Sequence, residues 1–479
     1  MKNGIIYQIF PDRFFVGKGK SIQDKKEFYH NQAILKEWNE EIGAENMHYQ
    51  FFGGDIYGII EKLDYIKESG ADWIYINPVF PAMTYHRYDA VDYKRVDESL
   101  GGMDSFDELM KESHKRGIKV IVDIALNHIS ETHPYFQEAI SNPESKYREY
   151  FSFSEYPNSY DCWWGLGYLP ELNFKNPAVL EEFITGDESV IKFWSRKGVD
   201  AIRLDCANDL GMELCKKIKT AAKEVNPEII IIGEVCSYAA EWTYILDSVQ
   251  SYYITDTTYS LMNNKITAAQ FGKNIDRLYR ESNKEVLLNS FLMLSSHDRT
   301  RAFTAVGENI DKYRQALLLQ FTLPGIPKIY YGEEVGMRGE SDPYNRAPMV
   351  WEEEKQDIEI KKIYENMIKL RKSRIELQEG ELIELSDTVE SGIVAYLRYM
   401  KESKKDYSIV LINCTDEIKK FRLMLPYSFI YYDIKLDNIL GEDYTITKGG
   451  FIDLEMKPNE SRVYVPDYLY KKNYNFYKR

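Results

Sequence analysis

Three acidic residues stand directly after short apolar runs: Asp205 in Arg203-Leu-Asp205, Glu234 in Gly233-Glu234 and Asp298 in Ser296-His297-Asp298. A fourth run ends in Asp123-Ile-Ala-Leu-Asn-His128. If these runs are strands of one parallel barrel, their ends face one mouth, because barrel chemistry sits at the C-terminal ends of the strands. Asp205, Glu234 and Asp298 then meet there, with His86, His128, His297 and Arg203 around them. Clustered carboxylates in an aromatic cleft suit glycoside hydrolysis. One attacks the anomeric carbon, and a second, protonated, gives its proton to the leaving oxygen. Arg203 lies two residues before Asp205, so on a strand both side chains point the same way. A guanidinium there holds a carboxylate ionised and aimed, as a nucleophile needs. Glu234 follows an apolar strand, and burial beside two carboxylates suits it to carry a proton.

The elements that must position these residues alternate in type. Ser105-Phe-Asp-Glu108 fits a capping box, Phe106, Leu109 and Met110 begin an apolar stripe, and Gly117 stops the helix. The run Ile118–Ile124 then reads as a strand buried on both faces, as a parallel sheet requires. Similar runs lie at Ile5–Phe10, Trp73–Asn77, Ala201–Leu204, Ile229–Ile232, Phe291–Leu294 and Lys328–Tyr331, with a weaker one around Ser251–Thr255. Eight such strands with helices between them predict an α/β fold, a (β/α)8 TIM barrel over 1–128 and 178–377. A doubly wound sheet is the alternative, but no G-x-G-x-x-G follows the first strand. Residues 129–177 are too long for a plain loop and rich in aromatics, among them Trp163, Trp164 and Tyr168, so they read as an inserted subdomain. From 378 to 479 the period becomes two, through Ile393–Tyr399, Ile409–Ile412 and Phe421–Leu425, which predicts a C-terminal all-β sandwich.

Composition bounds the partners. The 479 residues carry 61 basic and 76 acidic side chains, a net charge of −15. That balance disfavours nucleic acid and anionic membranes, which need clustered positive charge. The basic end (Lys471, Lys472, Lys478, Arg479) reads as a solvated tail. No apolar run approaches the length that spans a bilayer. Five cysteines without paired zinc spacing, and an N-terminus without a signal-peptide pattern, predict reduced thiols and a cytoplasmic location. Aromatics make up 14%, with 38 Tyr, and aromatic faces can stack on sugars.

The motifs, taken in order, resemble those of the α-amylase family of retaining α-glycosidases. Its conserved regions are similar to Asp123–His128, Ile202–Asp205, Gly233–Val235 and Ser296–Asp298, with a further one like Leu169-Pro-Glu-Leu-Asn173. The resemblance runs from Tyr7-Gln-Ile-Phe-Pro-Asp-Arg-Phe14 to Pro343–Trp351. It implies that Asp205 is the nucleophile, Glu234 the general acid and then base, and Asp298 the residue that orients sugar hydroxyls. It places Arg203, His86, His128 and His297 at the sugar, with Tyr88 stacked on its ring. Asp342 and Arg346 resemble an acceptor-side segment. Asp123 reads as a supporting residue, and Asn127 as either a calcium ligand or a structural one. No Asp-rich calcium loop follows the first strand, so no cofactor is expected.

Asn208-Asp209 looks like the Asn-Glu of the neopullulanase, cyclomaltodextrinase and maltogenic amylase group. The chain begins at the first strand without that group's N-terminal domain, so its dimer mode is not expected, and the oligomeric state stays open. The implied activity is retaining hydrolysis of α-1,4 and also α-1,6 bonds in maltooligosaccharides, cyclodextrins or related α-glucans. A 4-α-glucanotransferase or an oligosaccharide α-glucosidase would use the same residues. A non-catalytic sugar binder is disfavoured, because all three carboxylates are present. On the retaining mechanism, the carboxyl groups of Asp205 and Glu234 should lie about 5–5.5 Å apart.

Overall fold

The computed structural model describes the whole chain except Lys2, Tyr468 and segments 427–429, 431–432 and 470–479, with the backbone alone at Lys404. The basic tail at Lys471, Lys472, Lys478 and Arg479 lies outside the described residues. Eight parallel strands close into a barrel: β1 Ile6–Ile9, β2 Trp73–Ile76, β3 Lys119–Ile124, β4 Ala201–Leu204, β5 Ile230–Val235, β6 Ser248–Ser251, β7 Phe291–Met293 and β8 Ile326–Tyr330. Neighbours in sequence are neighbours in the ring, and β1 closes it between β2 and β8. Side chains of alternate parity face inward. One inward layer is apolar: Ile6, Trp73, Ile121, Ala201, Ile232, Phe291 and Ile326 pack as the floor. Two residues further along the same strands, the inward layer turns polar. There Gln8, Asp123, Arg203 and Lys328 are wholly buried, and Glu234 nearly so. The barrel therefore changes from core to chemistry in one step of the strand period.

Two local expectations are corrected. The sixth strand occupies Ser248–Ser251, while Tyr253–Met262 forms a helix, so the run around Ser251–Thr255 straddles the junction. The strand hides because its inward and edge residues are polar. Gln250 Oε1 accepts from Arg203 Nε at 3.2 Å, and Ser248 Oγ donates to the Asn289 carbonyl at 2.8 Å. The helix assigned a capping box at Ser105 starts earlier and spans Gly102–Lys115. Gly101 and Gly102, at φ 104° and 66°, turn the chain into it, and the Ser105 hydroxyl returns to the Gly102 carbonyl at 2.7 Å.

The segment after β3 leaves and returns as a narrow neck. Ile129 N donates to the Pro170 carbonyl, Glu131 N to that of Tyr168, and Leu172 N to that of Asn127. It carries the helix Pro134–Ser141 and a short hairpin, Phe153–Glu155 with Ser159–Tyr160, held by aromatic contacts such as Tyr135 on Tyr147 at 4.0 Å.

Beyond the helices Ile358–Ser373 and Ile375–Glu379 the chain is mainly antiparallel β. Strands β9 Glu381–Glu384, β10 Ile393–Met400, β11 Ser403–Asn413, β12 Lys419–Met424, β13 Lys435–Asn438, β14 Tyr444–Ile446, β15 Phe451–Met456 and β16 Ser461–Asp467 form two layers. The larger sheet runs β9-β10-β11-β16-β13-β14, and β12 pairs with β15. Both faces of β10 are buried. Ile393, Ala395 and Leu397 face the inter-sheet core, and Val394 and Tyr396 face the barrel. Gln315 Nε2 donates to the Asn413 carbonyl at 3.0 Å, and Arg398 Nη1 donates to the Thr322 carbonyl, fixing this sheet on the barrel helix Ile310–Thr322. No described helix is long and apolar enough to cross a membrane.

Candidate active site

A cavity of about 740 Å³ opens at the C-terminal ends of the barrel strands. Asp205, Glu234, Asp298, His86, Tyr88, His128, His297, Asp342 and Arg346 all line it. A larger cleft of about 1020 Å³ lies between barrel and β domain, but neither histidine nor aromatic residues line it.

Arg203 does not line the cavity; it lies beneath it, fully buried. Expected at the sugar, it instead faces three carboxylates. Its Nη1 is 2.7 Å from Asp123 Oδ1 and 2.8 Å from Asp205 Oδ1, and its Nη2 is 2.7 Å from Glu234 Oε1. The first two are hydrogen bonds; the third is an ion-pair contact without hydrogen-bond alignment. A planar fork with fixed donors suits this task better than an ammonium would. Asp123 also accepts from Tyr75 and Tyr88, each at 2.7 Å, so its role is support.

Burial pushes the Asp205 carboxyl up, against the pull of Arg203, and Glu234 adds to the rise. Its Oδ2 accepts the Cys206 thiol at 3.0 Å. Glu234 accepts the Cys206 amide at 3.1 Å and the Tyr252 hydroxyl at 3.0 Å. Gly233 lets this strand end close on its neighbours, since a Cβ there would sit 2.3 Å from Leu246 Cδ1. Ligand atoms of Asp205, Cys206 and Glu234 lie within 4.8 Å of one another.

Asp298 is the exposed member of the three. Arg346 Nη2 reaches its Oδ1 at 3.3 Å while Nη1 pairs with Asp342 at 3.1 Å, so the 342–346 segment is tied to the third carboxylate. His297 is neutral, because burial and three nearby cations push its pKa far down. Burial likewise lowers His86 well below its usual value and His128 to about 4. Among the described residues neither ring nitrogen of buried His128 finds a hydrogen-bond partner, and its ring lies 5.6 Å from that of Trp163. Tyr88 lies parallel to the His297 ring at 5.4 Å, and its hydroxyl reaches Nε2 at 2.7 Å. Asn127 gives its Nδ2 to Glu171 at 3.3 Å and its carbonyl to Leu172, which pins the inserted neck.

Several lining residues have no counterpart in the sequence reading of the site. Tyr252 follows β6 directly, and the polar residues of that strand give its place at the strand end no apolar signal. His48 stands edge-on to His86 at 5.3 Å, on a loop with no motif. Trp163 and Trp164 belong to the aromatic-rich insert, but nothing in their spacing says which way they face. Trp163 Nε1 donates to Asp209 at 3.0 Å, and Asn208 Oδ1 accepts from the Cys236 amide at 2.7 Å. Trp164 is 83% exposed at the cavity mouth.

Comparison with known proteins agrees with this geometry. The family described as alpha amylase, catalytic domain, matches residues 8–378. Neopullulanase 2 of Thermoactinomyces vulgaris is 31% identical over 476 residues, covering 96% of this chain and 77% of that protein. A cyclomaltodextrinase of Thermoanaerobacter pseudethanolicus is 34% identical over 421 residues, covering 85% and 70%. The solved structure of cyclic alpha-maltosyl-(1→6)-maltose hydrolase from Arthrobacter globiformis, in complex with maltose, aligns with a TM-score of 0.80 at 25% identity, covering 97% of this chain and 99% of that one. With its closed barrel, its converging carboxylates and a match over most of its length, the chain belongs to the α-amylase family of glycoside hydrolases.

Proposed function

We propose that the chain hydrolyses α-1,4- and α-1,6-glucosidic bonds of maltooligosaccharides and cyclodextrins with retention of configuration, in the cytoplasm. The observation that carries this reading is the Arg203 fork, which holds Asp205 and Glu234 side by side under one cavity. Asp205 attacks the anomeric carbon while Glu234 protonates the departing glycosidic oxygen. The C–O bond breaks and a glycosyl ester forms on Asp205. Glu234, now a carboxylate, takes a proton from water, which attacks the same carbon and frees Asp205. Asp298, with the neutral rings of His86, His128 and His297, holds the sugar hydroxyls. Five free thiols support a reducing compartment. The relatives named neopullulanase and cyclomaltodextrinase support the substrate class.

Product chromatography on maltotriose, β-cyclodextrin, pullulan and soluble starch tests the reading. Glucose and maltose released from the small substrates support it. Early accumulation of longer oligosaccharides would make the chain a glucanotransferase, and no turnover of any of the four would overturn the substrate class.

Three further results are expected. The nucleophile must be ionised, and burial raises its pKa, so kcat/KM should fall as pH drops, with a midpoint above the roughly 4 of an ordinary aspartate. A profile flat down to pH ~4 contradicts this. Activity should survive EDTA, whereas a loss restored by calcium would show a required ion. Trp164→Ala should raise KM for β-cyclodextrin about 2- to 10-fold, the worth of one aromatic contact, with kcat nearly unchanged. An unaltered KM would remove Trp164 from the binding surface.

A further inference from the structure

Lys328 is a buried amine that the reaction above does not use. It sits at the middle of β8, wholly enclosed, in the polar layer beneath the cavity. Its Nζ donates to Gln8 Oε1 at 2.5 Å and to the Ser295 carbonyl at 2.8 Å. Burial lowers its pKa to about 7. Even the neutral amine keeps two N–H groups, one for each of these acceptors.

The consequence runs through hydrogen-bond polarity. The ammonium form has donors only and requires an oxygen opposite, and the neutral form can donate to the same oxygen, so Gln8 Oε1 faces Lys328. Its Nε2, a donor only, then faces Asn77 Oδ1 at 3.0 Å and His297 Nδ1 at 2.9 Å. His297 Nδ1 must accept, so the neutral ring carries its hydrogen on Nε2. That nitrogen lies 2.7 Å from the Tyr88 hydroxyl and 3.1 Å from Asp298 Oδ2. The Tyr88 hydroxyl can receive it, because its own hydrogen goes to Asp123. We propose that Lys328 is a positioning residue: by fixing the Gln8 amide it holds His297 as the Nε2–H tautomer, with that hydrogen on the cavity side beside Asp298. The effect on turnover rests on the proposed hydrolase reading; the tautomer does not.

The test is nitrogen-15 NMR of histidine-labelled enzyme, with His297 assigned through His297→Gln, alongside kinetics on maltotriose. Wild type should show His297 as Nε2–H. Lys328→Met should lose that single form and lower kcat about 10- to 100-fold, with a smaller change in KM, as misorientation of a catalytic group does. If Lys328→Met does not fold, Gln8→Glu decides. That variant keeps Lys328 but puts an acceptor opposite Nδ1, so His297 should move to Nδ1–H or become doubly protonated. A wild type in the Nδ1–H form, or a folded variant retaining pure Nε2–H and wild-type kcat, overturns the proposal. A tautomer switch in protein inactive on glucans would overturn the hydrolase reading alone.

Discussion

Asp205→Asn is expected to lower kcat on maltotriose by about 10⁴- to 10⁶-fold, the scale on which removing a covalent nucleophile acts. The amide keeps the shape of the carboxyl but cannot form a glycosyl ester under these conditions. The fold should be retained, because Arg203 keeps its bond to Asp123 at 2.7 Å and is not left as an unpaired buried charge. The Asn oxygen can still accept from Arg203. Calorimetric binding of maltotriose and the thermal midpoint should therefore stay close to wild type while turnover disappears. Residual activity above about 1% would remove Asp205 as nucleophile.

Glu234→Gln should give a different pattern, because a general acid matters only when the leaving group needs a proton. For maltotriose, kcat/KM should fall about 10²- to 10⁴-fold. For α-glucosyl fluoride, whose leaving group departs without protonation, it should fall far less, since the first step then needs only Asp205. The glycosyl-enzyme should accumulate with the fluoride, because the same variant has lost the base that activates water. Gln keeps the shape of the side chain and one acceptor oxygen, so it can accept from Tyr252 or from the Cys206 amide but not from both. An equal loss on both substrates would contradict the acid assignment.

Much of this site could be read before the structure, because barrel strands announce themselves as apolar runs and the residues after them face one mouth. Asp205, Glu234 and Asp298 were legible for that reason. The pairing of Arg203 with Asp205 followed from a two-residue step on one strand. Its contact with Glu234 did not, since that pair joins neighbouring strands. Nor did the tie from Arg346 to Asp298, which depends on how a loop after β8 folds back over β7. Ser248 and Gln250 hid the sixth strand, because they make hydrogen bonds where a pattern search looks for apolar side chains. With that strand shifted, Tyr252 lost its place at the strand end and went unnoticed beside Glu234. The cavity wall supplied by the insert was visible as composition only. Trp163 and Trp164 are adjacent in sequence, yet one bonds to Asp209 and the other stands open to solvent. That difference is set by a turn in which Trp164 adopts φ 53°.

The central claim is a covalent sugar on Asp205. Mass spectrometry of the protein treated with 5-fluoro-α-D-glucosyl fluoride, which slows breakdown of the intermediate, tests it most directly. The account predicts one added fluoroglucosyl unit, located by peptide mapping on Asp205 and absent from Asp205→Asn. Turnover of the reagent without any adduct, or an adduct on another carboxylate, would contradict it.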